Sequence, residues 1–427
     1  MRMDVQESVL PNGLRVIVSC LPHVESVSVG LWIGVGGRYE PARLSGASHF
    51  IEHMLFKGTA KRSARRISEA IEGHGGHLNA FTQEENTCFY ARAPRDQLRR
   101  TLDVLCDMLR HSVFDPIELD RERGVILEEI MMYQDQPQQL VQERLGEALW
   151  KNHPVGRPLI GSPDTLRAMG RKDILTFMAQ SYTAPNIVLA LAGNVTHAQA
   201  MTEAERFLAD VSGRAAPAFE PAPTSVPQTR TTFCFKPIEQ AHVALGVRLF
   251  GRHDKRRFAL RVLNAILGEN MSSRLFQIVR EKHGLAYSIH SHAQLFDDTG
   301  AWTVSAGLDR QRLQKAMRLI VREMAALKKK PVGVAELRRA KDYLIGQIQL
   351  GWESTDNQMT WLGENLMSLD RFVSPDDIIA AIGRVTADDL QRLARTVLRP
   401  TRVSLSAVLP ESLHGSESDL RDAVMAL

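Results

Sequence analysis

The chain has 427 residues, 44% hydrophobic and 24% charged, so it is long enough for two or three domains and has an ordinary globular composition. No stretch approaches the roughly 20 apolar residues that span a bilayer, and the N-terminus has no apolar signal region, so we expect a cytoplasmic protein without membrane contact. The net charge of +4 comes with no basic stripe, which argues against nucleic-acid binding. The four cysteines form no C-x-x-C pair, which argues against a thiolate metal site.

The first predicted element is a strand between Val27 and Val35, with the sequence Val-Ser-Val-Gly-Leu-Trp-Ile-Gly-Val. Apolar residues alternate there with mostly small ones, and a period of two is typical of a strand that buries one face. An apolar helical segment is predicted to follow this strand.

That helical segment contains His49-Phe50-Ile51-Glu52-His53. Two imidazoles four residues apart lie on one face of a helix and supply two of the three protein ligands of a catalytic zinc ion. Glu52 borders the same face and can act as general base toward a zinc-bound water. The pentapeptide matches the inverted zinc-peptidase motif H-x-x-E-H, but by itself it is equally compatible with chance among 14 histidines.

A third metal ligand is expected from the acid-rich helix predicted over Phe114 to Ile130. Glu122 and Glu129 are two turns apart and share a face, whereas Glu128 points about 100° away from Glu129. The spacing does not choose between Glu128 and Glu129, and a solvated acidic face is the alternative interpretation of the run.

The second half of the chain repeats the plan of the first. A strand is predicted at Val243 to Val247, where apolar residues again alternate with small ones. Hairpins of strands are predicted at Leu78 to Arg92 and at Ser288 to Gly307. A helix over Lys330 to Ile348 matches the acid-rich helix in phase, so the repetition indicates a duplicated domain.

A proline-rich segment over 214–230 has the composition of an extended linker. We therefore predict an α+β protein of two duplicated domains, 1–213 with the metal motif and 231–427, each a largely antiparallel sheet packed with helices. From Lys255 to Lys282 the second half has no histidine, so its copy of the metal helix is expected not to bind metal.

Several blocks along the chain, in the right order, resemble the pitrilysin, insulinase and mitochondrial-processing-peptidase family of zinc peptidases, in particular its short bacterial members. They are Leu10-Pro-Asn-Gly-Leu-Arg-Val, Ser48-His-Phe-Ile-Glu-His-Met-Leu-Phe-Lys-Gly-Thr, Gly75-Gly-His-Leu-Asn-Ala-Phe-Thr, Glu122-Arg-Gly-Val-Ile-Leu-Glu-Glu-Ile, Ser273-Arg-Leu-Phe-Gln and Arg280-Glu-Lys-His-Gly-Leu-Ala-Tyr-Ser. The resemblance implies a metalloendopeptidase with one zinc ion per chain. It also implies that each chain forms one half of a clamshell chamber, which admits short unstructured peptides.

The resemblance further implies which residues of the first half form the zinc site. The ligands would be His49, His53 and Glu129, with Glu52 as the base. Glu122 takes the position of an acid that orients a ligand imidazole, a task that buried carboxylates perform at many metal sites.

The resemblance also implies residues that contact the peptide substrate. Asn79 and Ala80 fall on an edge strand to which a substrate backbone adds; a simple edge-strand turn is the alternative. In the second half, Arg280 and Tyr287 match a pair that hydrogen-bonds substrate carbonyls or stabilises the tetrahedral oxyanion. Without the resemblance, Arg280 reads as a surface charge and Tyr287 as a core aromatic.

Because the chain carries both the metal motif and the Arg280 and Tyr287 pair, a homodimer is sufficient, although a heterodimer with a paralogue is left open. One alternative function is a non-catalytic or recognition subunit of a heteromeric processing complex. Such subunits lose a ligand or the base, and the recognition type carries a glycine-rich loop where this chain has only Gly268. A mitochondrial presequence-processing subunit is the other alternative, disfavoured because no Arg/Ser-rich transit segment is present.

Overall fold

The computed structural model describes residues 4–215, 217–224 and 229–427, so parts of the predicted linker, residues 216 and 225–228, lie outside the described residues. The chain divides into two compact units. The first comprises the chain up to Met131 with Arg157–Glu220 and Gln349–Ser374, and the second comprises Met132–Gly156, Pro221–Ile348 and Pro375–Leu427. In the described ranges no helix has both the length and the apolar character needed to cross a membrane.

Each unit contains one mixed sheet. The strands of the first unit are β1 Val5–Val9, β2 Arg15–Cys20, β3 Ser26–Ile33, β4 His77–Thr82, β5 Thr87–Pro94 and β6 Ile187–Gly193. Those of the second are β7 Thr231–Lys236, β8 Gln240–Phe250, β9 Ala286–Leu295, β10 Thr299–Asp309 and β11 Val403–Pro410. The sheet orders are β1-β2-β6-β3-β5-β4 and β7-β11-β8-β10-β9.

The two sheets repeat one topology. In each, one pair of neighbours is parallel, β2 with β6 and β7 with β11, and the other pairs are antiparallel. The run β2-β6-β3-β5-β4 therefore corresponds strand by strand to β7-β11-β8-β10-β9. The predicted α+β class, with two largely antiparallel sheets, is confirmed, and both predicted hairpins form as β4 with β5 and β9 with β10.

Helices pack against both sheets. They are α1 Ala47–Leu55, α2 Ala64–Ile71, α3 Leu98–His111, α4 Pro116–Asp135, α5 Pro137–Leu149, α6 Pro163–Ala168, α7 Arg171–Ser181, α8 His197–Leu208, α9 Arg257–Asn264, α10 Leu313–Lys329, α11 Val334–Gly351, α12 Thr355–Leu369, α13 Pro375–Arg384, α14 Ala387–Val397 and α15 Glu417–Met425. The metal motif lies on α1, as predicted, and the acid-rich run lies on α4.

Each unit takes one helix from the other half of the chain. In the first unit α12 packs across β6, β3 and β2, and in the second unit α5 packs across β11 and β8. The predicted domains, 1–213 and 231–427, were contiguous, whereas the compact units each include a segment from the other half. Sequence position did not reveal this exchange, because a helix's apolar face does not specify which sheet it will cover.

The exchange explains why the prediction of one buried face for β3 is wrong. Seven of its eight residues are buried, on both faces of the sheet. The small-residue face meets α12: Ser28 donates a hydrogen bond to Thr355 at 2.9 Å, and Trp32 packs in one cluster with Met359. The pattern of small residues thus marks close packing with a helix and not contact with water.

A pair of helical glycines tests this packing. Gly363 of α12 lies so close to Trp32 that an added Cβ would overlap the indole ring, whereas an added Cβ at Gly346, inside α11, meets nothing within 4 Å. We expect Gly363→Ala to lower the free energy of unfolding by about 1–3 kcal/mol through overpacking. Gly346→Ala should raise it by about 0.5–1 kcal/mol through helix propensity. Urea unfolding of both variants measures this, and a stabilising Gly363→Ala would contradict the packing.

Candidate metal centre

Helix α1 presents its two histidines on its less buried side. Phe50 and Ile51 are buried in the core, while the side chains of His49 and His53 are 16% and 21% exposed. The helix begins after Gly46, which has φ 96° and supplies no side-chain cap. Glycine suits this position because the left-handed region is unfavourable for residues with a Cβ.

Helix α4 brings Glu129 to the two histidines. Its Oε2 lies 3.9 Å from His49 Nε2 and 3.8 Å from His53 Nε2, and the imidazole ring centroids are 4.5 Å apart. Among the described residues, these three side chains form the one group of ligand-type atoms close enough to hold a metal ion. Glu128 is exposed on the same helix, so the geometry selects Glu129, which the spacing had left open.

The donor set fits zinc in kind and in spacing. Two imidazole nitrogens and one carboxylate oxygen are the ligands of many catalytic zinc sites, which keep a fourth position open. Tetrahedral zinc with bonds of about 2.0–2.1 Å places its ligand atoms about 3.4 Å apart. The observed separations of 3.8 and 3.9 Å exceed this by about half an ångström, which small side-chain rotations can close.

The tautomer of His53 is set by a buried acid. Glu122 is 5% exposed, and its Oε1 accepts a hydrogen bond of 2.8 Å from His53 Nδ1. Its other oxygen accepts from Lys57 Nζ at 2.7 Å. Since an ionised carboxylate only accepts, the neutral form of the His53 ring would carry its proton on Nδ1, which leaves the lone pair of Nε2, the atom nearest Glu129, for a metal.

His49 is suited to metal binding by its neutrality. Burial lowers its pKa to about 4, and the neighbouring His53 contributes in the same direction. The ring is therefore uncharged near neutral pH, which is the form that binds metals. Its Nδ1 is buried and, within the described residues, has no hydrogen-bond partner.

Glu52 is held beside the histidines by the edge strand β4. Thr82, the last residue of β4, donates a hydrogen bond of 2.5 Å to Glu52 Oε2. Burial raises the pKa of Glu52 above its ordinary value, while the Thr82 hydrogen bond and His53 oppose the rise. A carboxylate whose pKa is raised toward neutrality is a better proton acceptor for general-base catalysis.

The predicted substrate-contact residues of the first half lie on that same strand. Because β4 ends the sheet order, Asn79 and Ala80 occupy a true edge. The backbone N–H of Ala80 donates to Asn79 Oδ1 at 2.8 Å. A peptide added to this edge would run toward Thr82 and Glu52, since two residues of strand span about 7 Å.

The predicted pair of the second half lies in the second compact unit. Arg280 belongs to a π-helical segment, Phe276–Lys282, and Tyr287 to β9, the counterpart of β4. The guanidinium carbon of Arg280 is 5.8 Å from the centroid of the Tyr287 ring, so these two side chains lie together. Tyr287 is 76% exposed, so the core-aromatic interpretation is wrong.

Sequence reasoning missed three residues around the centre. Lys57 lies within one block that carries the family resemblance and Thr82 ends another, and this is the signal that would have found them. Glu40 has no such signal, because its partners are backbone N–H groups at the start of α1. Only a folded chain shows that contact.

The H-x-x-E-H pattern on α1 is the inverted zinc-peptidase motif, and Glu129 of a second helix lies beside its two histidines. Comparisons with known proteins give the family. The model of the insulinase family, peptidase family M16, matches residues 15–163, and that of the peptidase M16 inactive domain matches residues 168–344.

Two relatives extend the match over nearly the whole chain. An uncharacterized zinc protease of Streptomyces coelicolor is 39% identical over 426 residues, which covers 98% of this chain and 92% of that protein. The zinc protease YmxG of Bacillus subtilis, also uncharacterized, is 37% identical over 386 residues, which covers 90% and 93%. The chain belongs to the insulinase family, peptidase family M16.

A solved structure shares the fold. The crystal structure of a protease from Helicobacter pylori superposes with a TM-score of 0.91 at 24% sequence identity, covering 96% of this chain and all of that one. The likeness extends over both compact units of this chain.

Proposed function

We propose that this chain is a zinc-dependent metalloendopeptidase that hydrolyses short unstructured peptides. The observation that carries the proposal is the convergence of His49, His53 and Glu129 with Glu52 beside them. A non-catalytic subunit is disfavoured, because all three ligand positions and the base position are filled by residues able to perform those roles.

The side chains around the centre suit hydrolysis of a peptide bond. When bound, zinc would act as a Lewis acid toward the attacking water and the substrate carbonyl. Glu52 takes a proton from the water while the water oxygen bonds to the carbonyl carbon of the peptide. Glu52 then gives that proton to the peptide nitrogen as the C–N bond breaks. Thr82 holds Oε2 of Glu52, which leaves Oε1 to carry the proton.

The edge strand β4 is proposed to hold the substrate. An extended peptide pairs with the free edge at Asn79 and Ala80, so that backbone hydrogen bonds supply most of the affinity. Because a folded protein has few free extended segments, this mode favours short unstructured peptides.

We assign Arg280 and Tyr287 the role of hydrogen-bond donors to substrate carbonyls or to the oxyanion. Their mutual contact supports this role, as does their exposure: Tyr287 is 76% exposed and the Arg280 side chain is 41% exposed, so a ligand can reach both. Tyr287→Phe is expected to reduce kcat by about 10–100-fold, somewhat less than the loss of a full oxyanion donor, with zinc content unchanged. Loss of zinc from this variant would contradict the assignment.

Two copies of the chain are proposed to enclose the reaction chamber as a homodimer. One chain carries both the metal motif and the Arg280 and Tyr287 pair, so no second kind of subunit is needed. Sedimentation equilibrium of the purified protein tests this, and a monomer at micromolar concentration that cleaves peptides at full rate would contradict it.

The function as a whole is tested on the purified wild type. We expect one zinc ion per chain by elemental analysis and cleavage of a quenched fluorogenic peptide of about ten residues. Chelation should abolish cleavage, and added zinc should restore it. A folded protein containing the same peptide sequence is the matched control and should be cleaved far more slowly. Absence of zinc, or cleavage that survives its removal, would overturn the proposal.

A further inference from the structure

A buried carboxylate caps the helix that carries the metal motif. Glu40 is 3% exposed. Its Oε2 accepts the backbone N–H of Gly46 at 2.7 Å, and its Oε1 accepts that of Ser48 at 2.6 Å. These are the N-cap and second residues of α1, and Gly46 has no side chain with which to cap the helix itself.

The backbone of Glu40 is fixed as well. Arg157 donates a hydrogen bond of 2.9 Å to the backbone carbonyl oxygen of Glu40. A residue distant in sequence therefore fixes the backbone from which the carboxylate projects. Burying an unpaired carboxylate is costly, and the two short hydrogen bonds from backbone N–H groups offset part of that cost here. The free-energy cost of burying this carboxylate suggests that it supports the role of helix α1.

We propose that Glu40 is a positioning residue for the metal centre, which fixes the first turn of α1 and offsets the positive end of its helix dipole beside His49. This inference rests on the proposed zinc function. His49 is the third residue of α1, next to the N–H group that Glu40 accepts. A helix N-terminus carries about half a positive charge, which opposes a divalent cation bound within the first turn.

Orientation is the second part of the effect. Helix α1 has only nine residues, and its two histidines share a face only while the first turn keeps its regular geometry. The two bonds from Glu40 hold the turn that contains His49, whereas Glu122 holds His53 at the other end of the motif. Each ligand histidine is thus held by one buried acid. Glu40 acts on His49 through the helix backbone, and Glu122 binds the ring of His53.

Glu40→Gln tests the proposal, because the amide keeps the shape and one acceptor oxygen but removes the charge. Burial raises the pKa of Glu40 to about 7, against the lowering effect of its two backbone bonds, so the measurement is made at pH 8, where the wild-type group is ionised. Competition with a chromophoric chelator gives the zinc dissociation constant, and the melting temperature of the zinc-free protein reports the fold.

We expect Glu40→Gln to raise the zinc dissociation constant by about 10–100-fold, the range for residues that orient metal ligands. The matched control is Thr386→Ala, which removes the cap of α14, where Thr386 Oγ1 accepts the N–H of Asp389 at 3.2 Å. This control should lower the melting temperature and leave the zinc dissociation constant unchanged. Equal zinc affinity in Glu40→Gln and wild type would overturn the inference.

A second variant covers the case in which Glu40→Gln does not fold. Glu40→Asp keeps the charge and shortens the side chain by one methylene, so we expect weaker zinc binding and a changed visible spectrum of the cobalt-substituted protein. Unchanged affinity together with an unchanged cobalt spectrum would refute the positioning role. Wild type that binds no zinc would instead refute the proposed function, so the two failures are distinguishable.

Discussion

Replacing Glu52 by Gln is expected to lower kcat for peptide hydrolysis by about 10²–10⁴-fold, because an amide cannot accept the proton of the attacking water. Glu52 is not among the three grouped ligand residues, so zinc content should remain at the wild-type value. The measurement is the initial rate of cleavage of the fluorogenic peptide, with zinc determined on the same sample.

The control for this variant is Glu69→Gln on α2, an exposed acid paired with Arg65. It removes the same charge away from the centre and should leave kcat unaltered. Wild-type cleavage by Glu52→Gln would mean that another group accepts the proton. Loss of zinc from Glu52→Gln would mean that Glu52 is a ligand and not a base.

The second large effect concerns the adjacent acids of α4. Glu129→Gln is expected to weaken zinc binding by more than about 100-fold, the upper end of what residues outside the ligand set contribute. Glu128→Gln should bind zinc like the wild type, because Glu128 is exposed and points about 100° away around the helix. Chelator competition on the two variants measures the difference.

Thermal stability provides a second measure of zinc binding by the Glu129→Gln and Glu128→Gln variants. A ligand that binds only the folded state stabilises it by about 4.1 kcal/mol at a concentration of 1,000 times its dissociation constant. At the same zinc concentration, a dissociation constant 100-fold higher removes about 2.7 kcal/mol of this stabilisation. Added zinc should therefore raise the melting temperature of wild type and Glu128→Gln much more than that of Glu129→Gln. The reverse pattern would assign the third ligand to Glu128.

Much of the fold followed from local sequence patterns. The two hairpins, the helix of the metal motif and the acid-rich helix formed where the apolar periodicity predicted them, because these elements depend on neighbours within a few residues. The repeated order of predicted strands and helices in both halves correctly indicated two sheets of related topology.

The cytoplasmic location and the dimer stay predictions.

Contacts between segments distant in sequence were not predictable in this way. The exchange of α5 and α12 between the units has no local signature, since an apolar helix face fits either sheet. The same limit made β3 look half exposed, because the small residues that accommodate α12 resemble those of a solvated face.

The sequence by itself determined which residue types meet on one face of α1: His49 and His53, four residues apart, are candidate ligands, and Glu52 beside them is a candidate base. Only the tertiary structure brought Glu129, and not Glu128, close to both histidines, and placed the carboxylate of Glu40 at the start of α1. The physical reason is that helical phase fixes angles within one helix, whereas distances between elements are fixed only when their buried faces pack.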